Sequence, residues 1–445
     1  MDASIDLSRY YSILDTISPI RSFGKVSKVV GLVVESEGPV SKLGSVCHIY
    51  PGGKKEFIKA EVLGFKENKV LMMPLDDIRG ISPGSKVVSV EENASVSVGF
   101  DLCGRIIDGL GNPIDKKGPI NIKDKYPIYA SPYNPLKRSR IKNIFDVGVR
   151  SINSILTIGR GQRMGIFAGS GVGKSVLIGM IARHADADVN VIALIGERGR
   201  ELNEFIEKDL GKEGLKKSVI VVATSDQLPL IRMRGAFIAT AIAEYFRDQG
   251  LHVNLIMDSI TRFAMAQREV GLALGEPPTT KGYTPSVFTL LPKLLERAGN
   301  LEQGSITGLY TVLVEGDDFN EPIADAVRSI LDGHISLTRE LSAQNHYPAI
   351  DIMKSISRVM IDIISPDHYD NIRKLKSIVS TYRKFEDMIN IGAYTIGSNS
   401  EIDYAIRIIG KVNSFLSQDI NQRISFEESK DQLAKLLDNS CIHDN

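Results

Sequence analysis

Residues 167–175 read Phe167-Ala168-Gly169-Ser170-Gly171-Val172-Gly173-Lys174-Ser175. The apolar run 164–168 predicts a β-strand that leads into the glycines, and the run 176–185 predicts an α-helix directly after them. Alternating glycines place no Cβ in the way of backbone N–H groups that point at a polyphosphate, and the helix adds its positive N-terminal end. The stretch therefore predicts a P-loop with a nucleoside triphosphate as ligand. The alternative from these residues alone is a glycine-rich turn that binds nothing.

The chemistry of the side chains assigns roles within this loop. Lys174 is expected to reach the β- and γ-phosphates, and the Ser175 hydroxyl is expected to bind Mg²⁺. The strict pattern begins with Gly, whereas Ala168 occupies that position here, so the loop requires that Ala168 avoid positive φ. The other residues expected at the nucleotide are Gly169, Ser170, Gly171, Val172, Gly173 and Val176.

The composition is that of a globular protein without a dominant charge. The chain has 445 residues, which predicts two or three domains, and Lys plus Arg equals Asp plus Glu at 54 each. Balanced charge gives no electrostatic argument for nucleic acid or an anionic membrane as the main partner, so no nucleic acid is expected. Residues 1–6 lack the features of a signal peptide, and no apolar run reaches the roughly 18 residues of a membrane span.

The cysteines indicate the redox compartment. The chain has three, Cys47, Cys103 and Cys441, and they lie far apart. An odd number of widely spaced cysteines argues against a disulfide framework and against a zinc site. A reducing cytoplasm is therefore the expected location.

Sequence pattern separates a short N-terminal segment and a first folded region. Residues 1–23 carry apolar side chains at loosely helical spacing between Ile5 and Ile17, which predicts an amphipathic helix. This helix packs either against the β-barrel of its own chain or against another protein. Residues 24–96 alternate β-rich runs with turns, which is typical of a small β-barrel or sandwich. These β-rich runs are 29–34, 57–65, 70–73 and 86–90.

The rest of the chain predicts an α/β domain followed by helices. Strands and helices alternate through residues 97–365, which implies a parallel sheet covered on both faces. Apolar residues after Pro366 fall mostly at helical spacing, so residues 366–445 are predicted to form a C-terminal helical domain. The expected fold class is multidomain α/β: a β-barrel, a central P-loop domain and terminal helices. The predicted strands of the central domain are 164–168, 189–195, 218–223, 253–257 and 308–314.

Two carboxylates are candidates for the chemistry at the phosphates. Phosphoryl transfer to water requires a metal clamp and a group that orients the water. Asp258 ends the apolar strand 253–257 and either holds Mg²⁺ through its water shell or caps the next helix. Glu197 follows the strand 189–195 at the edge where α/β sheets bind ligands, and it either polarises the attacking water or belongs to a solvated charge run.

Two arginines are candidates for spreading the charge of the transition state. Arg198 lies within Gly196-Glu197-Arg198-Gly199-Arg200-Glu201 and is either a phosphate contact or an ion-pair partner of Glu201. Arg262 lies four residues after Asp258, about one helical turn, so it either faces the same site or lies on the helix surface.

A family resemblance rests on residues 168–175, 196–201, 258–262, 277–288, 330–334 and 348–358. On these segments the chain resembles the rotary-type ATPases, the group that contains the catalytic subunit of ATP synthase, and within it the export ATPases of the bacterial flagellum. The resemblance covers about residues 24–418. It implies a RecA-like central domain, with ATP and Mg²⁺ as ligands. It also implies hydrolysis of ATP that energises or assists the delivery of export substrates.

The resemblance also implies roles for individual residues. Glu197 becomes the catalytic base or water-orienting group, and Arg358 becomes an arginine finger that reaches the neighbouring subunit's site. Tyr347 is expected to stack on adenine, while the position of a second family aromatic is occupied by Ile420. The side chains expected around the γ-phosphate are Lys174, Arg198 and Arg262.

The resemblance places the catalytic site at the interface between two subunits, and it also implies further partners. A chain that supplies both Glu197 and Arg358 implies a homohexameric ring. A coiled-coil stalk protein is expected in the central pore at the loop 275–284, and a stator-like regulatory protein at the N-terminal segment. Export substrates, their chaperones and the export gate at the membrane complete the set. The expected location is cytoplasmic, peripherally associated with the inner-membrane export apparatus.

Several related functions compete with flagellar export. The nearest is the ATPase of a virulence type III secretion system, whose sequence differs from that of the flagellar ATPases only by degree. A catalytic subunit of ATP synthase carries a dense acidic stretch that residues 427–431 match poorly, and a non-catalytic subunit carries Gln at the position of Glu197. An RNA translocase needs an aromatic and basic single-strand site, but residues 24–96 contain few aromatics.

Overall fold

The computed structural model describes residues 22–53, 56–314, 316, 318 and 320–438. The predicted amphipathic segment between Ile5 and Ile17 lies outside the described residues, as does Cys441. Internal contacts divide the chain between Ala94 and Ser95 into two compact units. None of the helices in the described part of the chain has the length and apolarity needed to cross a bilayer.

The first unit is a closed antiparallel β-barrel. In the described residues of this unit, six strands close in the order β1-β2-β5-β4-β3-β6, which confirms the predicted barrel. Its core consists of alternate side chains of the strands, as a sheet with one buried face requires. The strands are β1 Phe23–Val30, β2 Val33–Glu37, β3 Val46–Tyr50, β4 Ile58–Lys66, β5 Lys69–Pro74 and β6 Lys86–Glu91.

The prediction of a single strand over residues 29–34 of this barrel was wrong. The run 29–34 is a hairpin, in which Val30 pairs with Val33 across a two-residue turn. Gly31 lies in that turn with φ +56°, a conformation that glycine adopts without steric cost. Residues 29–34 form an unbroken run without a charged or polar side chain, so the sequence pattern did not reveal the turn. The strand Val46–Tyr50 was not predicted at all.

The second unit is built on a predominantly parallel sheet. In its described residues, nine strands pair in the order β19-β18-β12-β17-β15-β13-β14-β8, with β16 added on β17. All pairings except those of β16 and β19 are parallel, which confirms the predicted α/β architecture. The strands of this unit are β7 Ser95–Val98, β8 Ile106–Asp108, β9 Asp124–Pro127, β10 Ile144–Phe145, β11 Ile158–Gly159, β12 Arg163–Ala168, β13 Val189–Ile195, β14 Ser218–Ala223, β15 His252–Asp258, β16 Gly299–Asn300, β17 Ser305–Leu313, β18 Gly333–Leu337 and β19 Ile356–Ser357.

Helices cover the sheet and form the C-terminal part of the chain. Buried side chains of the last three helices, such as Leu375, Ile408 and Leu433, join the apolar cluster that also contains Leu177 beneath the P-loop. Our division into a catalytic and a helical domain at residue 365 stays a prediction. The helices are α1 Arg150–Ile155, α2 Lys174–His184, α3 Gly199–Glu204, α4 Gly211–Lys216, α5 Pro229–Asp248, α6 Ile260–Ala273, α7 Pro285–Leu295, α8 Pro322–Ile330, α9 Arg339–Ala343, α10 Met360–Ile363, α11 Pro366–Asn390, α12 Ser400–Leu416 and α13 Phe426–Leu437.

Candidate active site

The loop after β12 has the backbone of a phosphate cradle. Gly171 and Gly173 have φ of +79° and +88°, where a side chain would be strained. Ala168 is the last residue of β12 and pairs with Leu313 and Leu337, so it keeps an extended backbone and needs no positive φ. Helix α2 begins at Lys174, two residues earlier than predicted, which places Lys174 in the first helical turn. The helix therefore directs its N-terminal N–H groups into the loop.

Lys174, Glu197 and Asp258 come together at the carboxyl edge of the sheet. Lys174 forms an ion pair with Oδ1 of Asp258, and its Nζ lies 3.6 Å from Oε1 of Glu197. The three side chains are between 5% and 15% exposed. Because these residues follow or end the strands β12, β13 and β15, the parallel sheet brings their side chains to one edge.

A fourth residue of this cluster escaped sequence reasoning. The Thr311 hydroxyl donates to Oδ1 of Asp258 at 2.6 Å, and Thr311 is fully buried. Its strand, β17, lies between β12 and β15 in the sheet. The available signal was a polar residue inside an otherwise buried strand, which indicates a hydrogen-bond partner but not which one.

The cluster sets the protonation of Glu197 and Lys174. Burial, followed by the neighbouring Asp258 carboxylate, raises the pKa of Glu197 to about 7, against the opposite influence of Lys174. Burial disfavours the charge of Lys174, but Asp258 and Glu197 outweigh it, so the pKa of Lys174 lies above its ordinary value. At neutral pH a positive lysine thus faces a carboxyl group that can accept or release a proton.

The two predicted arginines differ in position. Arg262 packs against Gly196, since a Cβ at Gly196 would lie 2.7 Å from Cβ of Arg262. The buried Nε of Arg262 has no hydrogen-bond partner among the described residues, which suits an anionic ligand. Arg198, by contrast, has a side chain that is 79% exposed and lies 3.5 Å from Glu201. The structure therefore brings Arg262 beside the cluster and leaves Arg198 on the surface.

An aromatic side chain, Tyr347, lies next to the P-loop. A Cβ at Gly173 would be 3.6 Å from the ring of Tyr347, so this ring stands next to the phosphate cradle. Tyr347 is 39% exposed, and its carbonyl oxygen accepts a 2.9 Å hydrogen bond from the backbone N–H of Gln418. Ile420 follows two residues later with its side chain 46% exposed. The partly exposed ring of Tyr347 and the partly exposed side chain of Ile420 are thus available for contact with a planar base.

Arg358 lies at the opposite edge of the sheet. Its backbone N–H donates to the carbonyl oxygen of Asp332 at 3.0 Å, just before the first residue of β18. In the pairing of β18 with β12, Asp332 lies level with Arg163, the first residue of β12. The P-loop follows Ala168, the last residue of β12. The distance along β12 is roughly 17 Å, from five steps of about 3.3 Å. Arg358 is exposed there.

The residues present suit a magnesium ion bound together with a nucleotide. In the described residues no group of three or more His, Cys, Asp or Glu side chains comes together as a metal site. Mg²⁺ does not need one, since it commonly takes one or two protein ligands plus phosphates and water. Ser175, the second residue of α2, is exposed, and the contacts of Asp258 with Lys174 and Thr311 use only Oδ1. Oδ2 therefore suits a link through water.

Comparison with known proteins assigns the family. The model of the ATP synthase alpha/beta family nucleotide-binding domain matches residues 148–357, and that of its beta-barrel domain matches residues 26–91. A flagellum-specific ATP synthase of Bacillus subtilis (strain 168) is 55% identical over 434 residues, which are 96% of this chain and 99% of the relative. The chain belongs to the ATP synthase alpha/beta family. The family resemblance and the nucleotide expected from it, ATP, are thereby confirmed.

Other relatives in this family act in type III secretion. The model of the T3SS EscN ATPase C-terminal domain matches residues 364–435. A type 3 secretion system ATPase of Xanthomonas euvesicatoria is 47% identical over 427 residues, covering 96% of this chain and 97% of the relative. The assembled ATPase EscN of enteropathogenic E. coli superimposes with a TM-score of 0.88 at 45% identity, over 93% of this chain and 100% of EscN. Its complex with the central stalk EscO gives a TM-score of 0.87 with the same identity and coverage.

Proposed function

We propose that this chain hydrolyses ATP at the interfaces of a homohexameric ring and thereby serves the flagellar protein export apparatus. The proposal rests on the carboxyl group of Glu197, which is largely buried and lies 3.6 Å from Nζ of Lys174. The pKa of this carboxyl group is raised to about 7. A general base is most effective when its pKa is near the working pH. The flagellar setting is supported by the 55% identical relative of Bacillus subtilis.

In this proposal the residues of one chain bind ATP and prepare the attacking water. Lys174 leaves its ion pair with Asp258 to contact the γ-phosphate, while Glu197 orients a water molecule and accepts its proton as the bond to the leaving ADP breaks. The Ser175 hydroxyl and, through water, Asp258 would hold Mg²⁺, which would supply positive charge to the phosphates. Tyr347 stacks on the adenine ring, with Ile420 as an apolar contact on the other side.

Arginines supply the remaining positive charge. Arg262, which lies beside Gly196, contacts the γ-phosphate in this proposal, whereas Arg198 must leave Glu201 to do so. Arg358 comes from the neighbouring subunit. Its place at the opposite edge of the sheet supports this role, because a residue roughly 17 Å along the strand cannot serve its own P-loop. A complete site then exists only where two subunits meet.

The proposed partners of the ring extend from the related proteins. EscN has been solved as an assembled ATPase and with its central stalk EscO, and we propose that this chain also meets a coiled-coil stalk protein in its pore. The loop 275–284 exposes Lys281, whose side chain is 52% exposed, while Tyr283 is buried. A stator-like protein at the N-terminus, export substrates and chaperones at the C-terminal helices and the export gate at the inner membrane complete the proposal, in the cytoplasm.

The hydrolytic role is tested by Glu197→Gln. This variant is expected to bind ATP with unchanged affinity and to lose turnover, because an amide cannot accept the proton of the attacking water. Glu204→Gln is the matched control, since Glu204 lies on the same segment but pairs with Arg200 at 3.4 Å. Steady-state hydrolysis and equilibrium nucleotide binding are measured on both variants. Turnover of Glu197→Gln at the level of the control would contradict the proposal.

Virulence secretion is the second candidate function. The match of the EscN C-terminal domain model to residues 364–435 favours it. The two are separated by expressing this chain in a strain that lacks its flagellum-specific ATP synthase and in a strain that lacks its type 3 secretion system ATPase. Restored motility with no restored secretion supports the flagellar function, and the reverse result supports the alternative.

A further inference from the structure

The backbone of Arg358 is fixed by the residues around Asp332. The N–H of Arg358 donates to the carbonyl oxygen of Asp332 at 3.0 Å, and β19 pairs Ser357 with Gly333. Since Asp332 directly precedes β18, any displacement of Asp332 moves the segment that carries Arg358. The side chain of Arg358 itself is exposed.

The carboxylate of Asp332 is held by a two-pronged contact with Arg163. Nε and Nη2 of Arg163 donate to Oδ2 and Oδ1 of Asp332, each at 3.0 Å, and the backbone N–H of Arg163 donates to Oδ2 at 3.0 Å. The Arg163 side chain is 13% exposed, and Glu296 forms a second ion pair with it. Charge-assisted forks of this kind fix geometry more firmly than a single hydrogen bond does.

A buried hydrogen-bond network holds the residue before Arg358. The Ser357 hydroxyl donates to the carbonyl oxygen of Thr157 at 2.9 Å, and Nε2 of Gln162 donates to Ser357 Oγ at 3.0 Å. The same Nε2 reaches the carbonyl oxygen of Asp332 at 3.3 Å. Gln162 therefore links the network of Ser357 to the contact between Arg163 and Asp332.

We propose that the Arg163–Asp332 pair positions Arg358 for catalysis in the neighbouring subunit. Asp332 is a positioning residue, because it contacts the backbone of Arg358 and acts through Arg358. This inference rests on the proposed function, in which Arg358 acts across the interface. Arg163 is the first residue of β12, and the P-loop follows the last residue of this strand. A single strand therefore connects the residues that bind ATP with the segment that carries Arg358 to the neighbouring subunit.

The first test measures hydrolysis by Asp332→Ala and by the isosteric Asp332→Asn. A finger displaced by about 1 Å is expected to lower kcat by about 100-fold, since misplacement of that size has such an effect in other enzymes. Affinity for ATP is expected to change less than about twofold, because the P-loop lies at the other end of β12. Asp115→Ala is the matched control. Arg105 and Asp115 form a similar fork at 2.6 and 2.9 Å, with side chains 13% and 3% exposed, away from Arg358.

The second test asks in which subunit Asp332 acts. An Asp332 variant is co-expressed with Glu197→Gln in one ring, so that about a quarter of the interfaces join an intact Glu197 to an intact finger. Activity is expected to return to the level of a ring that mixes Arg358→Ala with Glu197→Gln. A loss of stability alone would not be repaired by the Glu197→Gln subunits, and melting temperatures of each variant check this directly.

The outcomes separate the inference from the function on which it rests. The inference is overturned if the Asp332 variants keep normal kcat, if they lose activity only as far as Asp115→Ala does, or if Glu197→Gln fails to restore them while it restores Arg358→Ala. A failure of Arg358→Ala itself to lose activity, or to be restored by Glu197→Gln, would instead contradict the proposed finger. Restoration of both variants supports the proposal.

Discussion

At the scale of single residues, the site depends on three ionisable side chains that are largely buried next to one another: Lys174, Glu197 and Asp258. Lys174 is paired with Asp258, while Glu197 lies 3.6 Å from the same ammonium. Burial is the main cause that raises the pKa of Glu197, and the Asp258 carboxylate adds to it against the opposite influence of Lys174. The consequence is that Glu197 ionises near neutrality, where a base is useful.

The titration of Glu197 is the first prediction. In the ATP-free protein, modification of Glu197 by a carbodiimide, which reacts with protonated carboxyl groups, is expected to fall with rising pH and a midpoint of about 7. Peptide mass spectrometry follows the reaction. Asp258→Asn removes a negative neighbour and is expected to move the midpoint to lower pH. A midpoint in the unchanged protein near the ordinary glutamate value of 4.5 would contradict the prediction.

Thr311 carries the second prediction. Thr311→Val keeps the shape of the side chain and removes the hydroxyl that donates to Asp258 at 2.6 Å. A hydrogen bond to a charged group contributes about 1.5–3 kcal/mol, so the Mg²⁺ concentration for half-maximal hydrolysis is expected to rise roughly tenfold or more. Thr311→Ser restores the hydroxyl and is the control. Equal magnesium dependence for the valine and serine variants would show that Asp258 does not need this hydrogen bond.

At the scale of elements, the P-loop helix is fitted tightly against the segment that follows Glu197. That segment contains α3, a π-helical turn at Phe205–Leu210 and α4. A Cβ at Gly179 of α2 would lie 2.6 Å from Cβ and 2.7 Å from the carbonyl oxygen of Asp209. Arg183, one turn further along α2, donates to the same carbonyl oxygen. The close contact therefore depends on the missing side chain at Gly179.

Gly179→Ala is the third prediction. The new methyl group meets backbone atoms of Asp209, so the variant is expected to lose about 1–3 kcal/mol of unfolding free energy. Gly410 in α12 is the matched control, because nothing lies within 4 Å of a Cβ built there. Gly410→Ala is expected to gain about 0.4–1 kcal/mol through the unfolded state. Urea denaturation measures both. A gain in stability for Gly179→Ala would mean that α2 and the π-helical turn can move apart freely.

At the scale of the whole molecule, the sheet separates two groups of residues that we propose to complete one site. The P-loop, Glu197 and Asp258 lie at its carboxyl edge, while Arg358 lies level with the start of β12 at the other edge. No folding of a single chain brings these edges together, because β12 holds them apart by roughly 17 Å. The whole protein is therefore expected to work as an assembly.

Assembly gives the fourth prediction. Turnover per chain is expected to rise cooperatively with protein concentration, in parallel with ring formation followed by analytical ultracentrifugation. Arg358→Ala is expected to form the ring and bind ATP, yet to lose turnover by about 1,000-fold or more, as removal of an arginine finger does elsewhere. A dilute monomer with full activity would contradict the prediction.

The sequence by itself determined the elements and the kind of ligand. The glycines around Lys174, the apolar strands of the sheet and the helical spacing after Pro366 are local patterns, and the periodicities of strand and helix make them readable without a fold. Local pattern failed at Gly31, where a turn with positive φ interrupts an unbroken apolar run. The roles proposed for Glu197 and Arg358 came from the family resemblance, because a single charged residue does not by itself indicate a function.

Only the tertiary structure decided which of these residues meet. Lys174 and Asp258 are 84 positions apart in sequence, and their contact depends on the strand order β12-β17-β15. That order also places Thr311 beside Asp258, while the length of β12 separates Arg358 from its own P-loop. Strand order is fixed by long-range packing, in which each strand pairs with residues far away in the chain. A sequence read in order does not contain that information in any local window.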